Sequence, residues 1–195
     1  VYRNGASPIK AYADDYNFLI WGLLELYETT YKPEYLREAV RLNNEMLDLF
    51  WDYEKGGIYI YGNDSEQLIA RPKEGYDGAT PSANSTAANN FIRLARLTGA
   101  YDLEEKAQQI IYFFSSSIMN YPAGFSHMLN AVIMLEAEGH EVIVAGDINA
   151  GADKLIDALR RGFRPFTVTM HYHDGTASLR DLVPFIKNYN SIDGR

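Results

Sequence analysis

Two short stretches hold the side chains best suited to chemistry. The first is Tyr12-Ala-Asp-Asp-Tyr16, two adjacent carboxylates between two tyrosines. The second is R-P-K-E-G-Y-D-G-A-T-P-S-A-N, from Arg71 to Asn84, with two cations, two carboxylates, two hydroxyls, a tyrosine and an asparagine but little apolar mass. A loop with so little to bury either floats in solvent or lines a site, and two Gly and two Pro give it a fixed path. Cleaving a glycosidic bond takes two carboxyl groups, one protonated and one ionised. Asp15, Glu74 and Asp77 are the catalytic candidates, with Arg71 or Lys73 holding one carboxylate ionised and Tyr76 packing on a sugar ring. Tyr12, Asp14, Tyr16, Ser82, Asn84 and His127 complete the candidate substrate-binding set. A plainer reading stands beside this one. Acidic residues are favoured at a helix N-terminus, and Ser82 or Asn84 can simply cap the helix that follows.

The other polar residues say less. His127 lies beside an apolar stripe, where a lone imidazole usually serves as a hydrogen-bonded wall. His171 and His173 alternate at a strand end with Asp174 nearby, a conceivable metal site without a further ligand, so no metal and no cofactor is expected. Of 15 tyrosines, Tyr12, Tyr16, Tyr59, Tyr61 and Tyr76 cluster around these same stretches. An aromatic face with a polar tip suits a sugar ring, though core packing explains many of them equally well.

These side chains must be positioned by helices. Tyr16, Leu19, Ile20, Leu23, Leu24 and Tyr27 follow the spacing of one helical face. After Pro33, a favoured first-turn residue, a second helix carries Leu36, Ala39, Val40, Leu47 and Phe50. A second pair spans Asn84 to Thr98, ending at Gly99, and a helix capped by Asp102 with Glu105 that buries Leu103, Ala107, Ile110, Ile111 and Phe114. A fifth helix follows Pro122, with Phe125, Met128, Leu129, Val132 and Ile133 on one stripe. The two pairs repeat at an offset of 68 residues, matching Leu23 to Phe91 and Ala39 to Ala107. That is twice a tetratricopeptide period, but Gly- and Pro-rich residues 51–82 cannot supply the missing helix pair. They read as a β-hairpin around Ile58 to Tyr61 followed by a long loop. The expected fold is mainly α, a partial α/α toroid of helical hairpins with a small C-terminal β-α-β element. In that element, strands at Glu141–Ala145 and Phe166–Met170 flank a helix from Ala150 to Arg161 and pair in parallel. A helix from Leu179 to Tyr189, interrupted by Pro184, completes the tail.

Composition narrows the classes. The chain of 195 residues is 47% hydrophobic and 23% charged, with no cysteine and a net charge of −8. It has no apolar run long enough to span a membrane, and its acidity argues against nucleic acid. Residues 1–140 carry 11 basic and 19 acidic side chains, against seven of each in residues 141–195. A boundary near Gly139 therefore separates a helical-hairpin segment, 1–139, from a β-α-β segment, 140–195. A start at Val1 reads as the inside of a longer protein, and without an address signal the expected location is the cytoplasm.

Three runs carry a family resemblance: A-Y-A-D-D-Y-N-F-L-I-W-G-L-L-E-L-Y-E (Ala11 to Glu28), L-F-W-D with G-G (Leu49 to Gly57), and R-P-K-E-G-Y-D-G-A-T-P-S-A-N-S (Arg71 to Ser85). Together they resemble the thioredoxin-domain-containing proteins of the spermatogenesis-associated protein 20 type. The resemblance implies a parent with an N-terminal thioredoxin-like domain followed by an (α/α)6 toroid similar to six-hairpin glycosidases and N-acylglucosamine 2-epimerases. Carboxylates at the loop end of such a toroid give the expected function, a carbohydrate-acting, glycosidase- or epimerase-like domain. The alternative is a non-catalytic module packing against the parent's thioredoxin-like domain. Two and a half hairpins leave open edges, so the expected partners are a carbohydrate, the missing N-terminal part, or a second copy of the fragment.

Overall fold

The computed structural model describes residues 5, 9–66, 69–173, 176 and 178–188. Its first element, α1 (Ala13–Thr30), starts three residues before the apolar spacing predicts, and buries Ile20, Leu23, Leu24 and Tyr27. Leu19, expected inward, is 53% exposed. Tyr31 ends the helix in the left-handed region (φ 55°) and turns the chain into α2 (Pro33–Phe50), with Pro33 in the first turn. The stripe α2 buries is Leu36, Ala39, Leu42, Met46 and Phe50. Val40 and Leu47 lie at its margin, partly buried.

The second hairpin pairs α3 (Ala83–Thr98) with α4 (Asp102–Asn120). Ser82 caps α3, accepting a hydrogen bond from the Ser85 N–H, and Gly99 closes it at φ 78°, a conformation open to glycine at no steric cost. Asp102 does not cap α4. Tyr101 occupies that position with helical dihedrals, so Asp102 falls into the first turn. There it joins Glu104 and Glu105 in opposing the positive helix end. α4 buries Leu103, Ala107, Ile110 and Phe114, with Ile111 partly covered. α3 is the central element. It contacts α1, α4 and α5 and buries nearly every residue, polar ones included.

A tight turn at Pro122–Phe125 leads into α5 (Ser126–Glu136). Its buried side is Met128, Ala131 and Met134. The expected stripe is rotated, because α5 packs mainly on α3, and Ile133 is left 48% exposed. Between α2 and α3, the expected hairpin is reduced to one antiparallel bridge, Trp51 with Ile58, while Tyr61 bridges Tyr12 instead.

The tail forms β1 (His140–Ala145), α6 (Ala152–Arg160) and β2 (Thr167–Tyr172). The strands are parallel, as the β-α-β order predicts, with His140 opposite Thr167 and Ala145 opposite Tyr172. Val168, Met170 and Tyr172 join the apolar cluster of the helices. Arg96 of α3 fastens the two parts, donating to the Met134 carbonyl (2.5 Å) and the Phe166 carbonyl (3.1 Å). The last predicted helix is α7 (Leu179–Leu182) and a separate turn, Pro184–Asn188; Tyr189 lies outside the described residues. The structure is mainly α with a small parallel strand pair. Among the described residues no helix is long and apolar enough to cross a membrane.

Candidate functional site

The Arg71–Asn84 loop is held down by its own polar side chains. Asn84, in the first turn of α3, treats Ile58 as a strand would. Its Oδ1 accepts from the Ile58 N–H (2.7 Å), and its Nδ2 donates to the carbonyls of Ile58 (2.9 Å) and Glu74 (2.8 Å). Asp77 Oδ1 accepts from the Ser82 N–H (3.0 Å). Its Oδ2 accepts from the N–H groups of His127 (2.8 Å) and Met128 (3.3 Å), where a carboxylate suits the start of α5. Both oxygens of Asp77 are thus engaged with backbone.

The two cations are also committed. Arg71 donates to the carbonyls of Leu49 (3.1 Å) and Tyr61 (2.7 Å) and lies 4.2 Å over the Tyr59 ring. Lys73 is buried, pairs with Asp52 at 2.6 Å, donates to the Gly56 carbonyl and sits 4.1 Å from the Phe113 ring. Asp52 further accepts from the N–H groups of Glu54 and Lys55 and from the Tyr59 hydroxyl (2.8 Å). Burial alone would push the Asp52 carboxyl up. Lys73 and these donors together hold it well below the usual carboxylate range. Asp52 was not among the sequence candidates, although it ends the L-F-W-D run. Its partner lies 21 residues away, and nothing local announces the pairing.

What stays unengaged is a cleft of about 270 Å³ between the start of α1 and the start of α3. Asp14, Glu74, Tyr76, Ser82 and Asn84 line it over Ile58 and Ile60. Asp15 does not. Because α1 starts at Ala13, Asp15 turns back to accept from the Tyr12 N–H (2.9 Å), and Asp14 takes the inward position. Burial raises the Asp14 carboxyl above its ordinary value. Asp15 and then Glu74 add to that shift, while the Ala83 N–H opposes it. At the rim Tyr76 is half exposed and stacks on Tyr121, with centroids 6.4 Å apart and planes 9° from parallel. Gly124 leaves room for this pair, since a Cβ there would come within 2.7 Å of both rings.

The other candidates lie elsewhere. Tyr12 meets the edge of Tyr61 at 6.3 Å. Tyr16 donates to Glu45 of α2 (2.7 Å), and its hydroxyl is pushed up to about 12 by burial and then by Glu45. His127 lines a second cleft, of about 570 Å³, stacked 5.0 Å from the Trp21 ring. Burial lowers its pKa against the pull of Asp77. Its Nε2 is buried with no hydrogen-bond partner among the described residues. His171 stacks on His173 at 4.7 Å and shares a hydrogen bond with the Gly146 carbonyl; Asp174 lies outside the described residues.

No family model matches the chain. It is 31% identical over 192 residues to spermatogenesis-associated protein 20 of Rattus norvegicus, an overlap of 96% of this chain and 24% of that protein. The chain is related to the spermatogenesis-associated protein 20 type. The human protein of that name is 30% identical over 190 residues, 95% of this chain and 24% of its own length. An uncharacterized protein of Caenorhabditis elegans is 34% identical over 145 residues, 74% of this chain and 20% of that protein. The chain thus spans about a quarter of the length of the curated relatives it matches. The three runs that carry the spermatogenesis-associated protein 20 resemblance meet in space. Asp14 comes from the first, Asp52 and Gly57 from the second, and Lys73, Glu74 and Asn84 from the third. Asn84 Oδ1 and the Lys73 side chain lie 3.3 Å from where a Gly57 Cβ would sit.

Proposed function

We propose that this chain is part of a carbohydrate-acting domain with glycosidase- or epimerase-like chemistry. Its site would be the cleft between the starts of α1 and α3. The observation that carries the reading is the Asp14–Glu74 pair. Of the acidic candidates, Asp77 has both oxygens on backbone N–H groups and Asp15 turns back onto Tyr12. Asp14, which takes one hydrogen bond from the Ala83 N–H, faces the same cleft as Glu74 and is repelled by it. Raised proton affinity in one carboxyl beside a second is what general acid chemistry at a glycosidic oxygen requires. Asp14 would hold the proton and Glu74 would act as base or nucleophile. The Tyr76–Tyr121 pair supplies a flat apolar rim for a sugar ring. In this reading the hairpins α1–α2 and α3–α4, with α5 opening a third, are a sector of an α/α toroid. The exposed Leu19, Leu26 and Ile133 would then face the rest of a longer protein or a second copy.

A second reading rests on the loop itself. Lys73, Asp77, Ser82 and Asn84 all spend their polar atoms on the chain's own groups, as in a non-catalytic module whose loop is a rigid interaction surface. Release or epimerisation of sugars across a glycan panel, measured on the longer protein, separates the two. Turnover abolished by Asp14→Asn and by Glu74→Gln, but kept by Asp15→Asn, supports the first reading. Full turnover in both variants would end it.

A further inference from the structure

The two strands of the tail differ at their outer edges. Hydrogen bonds from the His140 N–H to the Phe166 carbonyl (3.3 Å) and from the Gly146 N–H to the Tyr172 carbonyl (2.9 Å) set the phase of the pair. The backbone groups of His140, Val142 and Val144 therefore face β2, and those of Glu141, Ile143 and Ala145 face away from it. Along β2 the chain takes up outward N–H groups itself. Thr167 donates to the Arg164 carbonyl (3.2 Å), Thr169 to the Glu28 carboxylate (3.0 Å) and His173 to the Thr176 hydroxyl (2.9 Å). Along β1 the outward backbone groups of Glu141, Ile143 and Ala145 have no hydrogen-bond partner among the described residues.

An open row of alternating N–H and C=O groups fits one kind of occupant, another extended backbone. β1 lacks the devices that keep such edges apart. His140–Ala145 holds no Pro and no Lys, and its one-to-one register with β2 leaves no bulge to twist the edge away. Its centre is Val-Ile-Val, β-branched throughout. Val142 and Ile143, on opposite faces of the strand, are only partly buried. Beside Ile143 a hollow of about 340 Å³ opens between the strand, Tyr101 and Phe185. A further strand along this edge would cover all three.

We propose that the occupant is β1 of a second copy of this chain, paired antiparallel across a two-fold axis at Ile143. In that register Glu141 of each copy faces Ala145 of the other, and Val142 faces Val144. Every outward N–H and carbonyl of the three residues then finds a partner, and the two strand pairs join into one sheet. No like charges meet, because the strand's acidic side chain lies opposite an alanine. Charge across the molecule favours the same face. The net charge of −8 belongs wholly to residues 1–140, whereas residues 141–195 carry seven side chains of each sign. Two copies therefore approach through their tails without the repulsion that their helical parts exert. The edge shares no residue with the carboxylate cleft or with the exposed Leu19, Leu26 and Ile133, so the proposal stands or falls apart from both.

Sedimentation of this chain from dilute to concentrated solution should show a reversible monomer–dimer equilibrium. Ala145 is exposed and its N–H points away from β2, so Ala145→Pro removes an edge donor and no bond within the strand pair. It should weaken the dimer about tenfold or more. Leu19→Lys and Asp14→Asn should leave the dimer unchanged, whatever the second does to turnover. Residue-resolved amide exchange gives a readout that needs no variant. The amides of Glu141, Ile143 and Ala145 should exchange quickly in dilute solution and slow as the dimer forms, with Val142 and Val144 protected throughout. The proposal is overturned by a monomer at every concentration, by a dimer that Ala145→Pro leaves as tight, or by outward amides already slow in the dilute monomer. It is equally overturned if those amides are slow in a monomeric longer protein, where another segment of that protein would be the occupant.

Discussion

Asp52 and Asp14 meet the same loop under opposite conditions. Asp52 is buried against Lys73 and takes three further donors from Glu54, Lys55 and Tyr59, so its ionised form is the comfortable one. Asp14 stands half covered with Asp15 and Glu74 for neighbours and the Ala83 N–H as its compensation, so its ionised form is the strained one. The difference teaches how a polar loop divides its labour. One carboxylate and its cation fix the path of the chain. Another carboxylate, positioned by that path, is left with proton affinity to spare.

The contrast can be broken most forcefully at Lys73. Lys73→Met leaves Asp52 buried without its cation and should cost about 3–5 kcal/mol in urea unfolding. Asp52→Asn in the same chain should return most of that loss, since it is the orphaned charge that destabilises. A Lys73→Met variant as stable as the parent would mean that the pair is not holding the loop. Asn84→Ala comes next. It strands the Ile58 N–H and two carbonyls, and a loss of about 2 kcal/mol is expected by the same measurement. Ser82→Ala, which removes the cap of α3 and the hydroxyl contact with Ser85, should cost about 1 kcal/mol.

The smallest effect sharpens the comparison by its sign. A carboxyl held below its ordinary value stabilises the fold above that value and loses its contribution as acid protonates it, so Asp52 should make the protein weaken below about pH 4. A carboxyl held above its ordinary value does the reverse. Ionised Asp14 works against the fold at neutral pH, and its protonation relieves that. Asp14→Asn should therefore raise the melting temperature slightly at pH 7, with the gap closing as the pH falls. A gap that widened in acid would place Asp14 with Asp52.

Much of the frame was legible in the sequence because helical spacing, Pro33, Gly99 and the β-α-β order are local signals. The parallel pairing of β1 and β2 follows from them, and of the two residues that could cap α3, Ser82 or Asn84, it is Ser82 that does so. The site was less legible, for two physical reasons. The helical face was traced from Tyr16, while the backbone begins α1 at Ala13. That shift turns Asp15 back onto Tyr12 and gives Asp14 the cleft. The loop's cations, expected to hold one of Asp15, Glu74 and Asp77 ionised, serve Asp52 and main-chain carbonyls instead, and such choices are made between residues far apart in the chain. Ile133 and Leu19 misled for another reason. An apolar stripe reports what a helix can bury, and among the described residues those positions stay about half exposed.

Arg96 gives the tail an unusual kind of attachment. Its guanidinium grips the carbonyl of Met134 on one side of the 137–139 connector and that of Phe166 on the other, while Val168 and Met170 sit in the helical core. The peptide link between the two parts is therefore not what keeps them together. A protease that nicks the connector should yield a complex that still travels as one species through a sizing column. Two separately expressed halves should find each other, because the recognition is written into a side chain rather than into the continuity of the backbone.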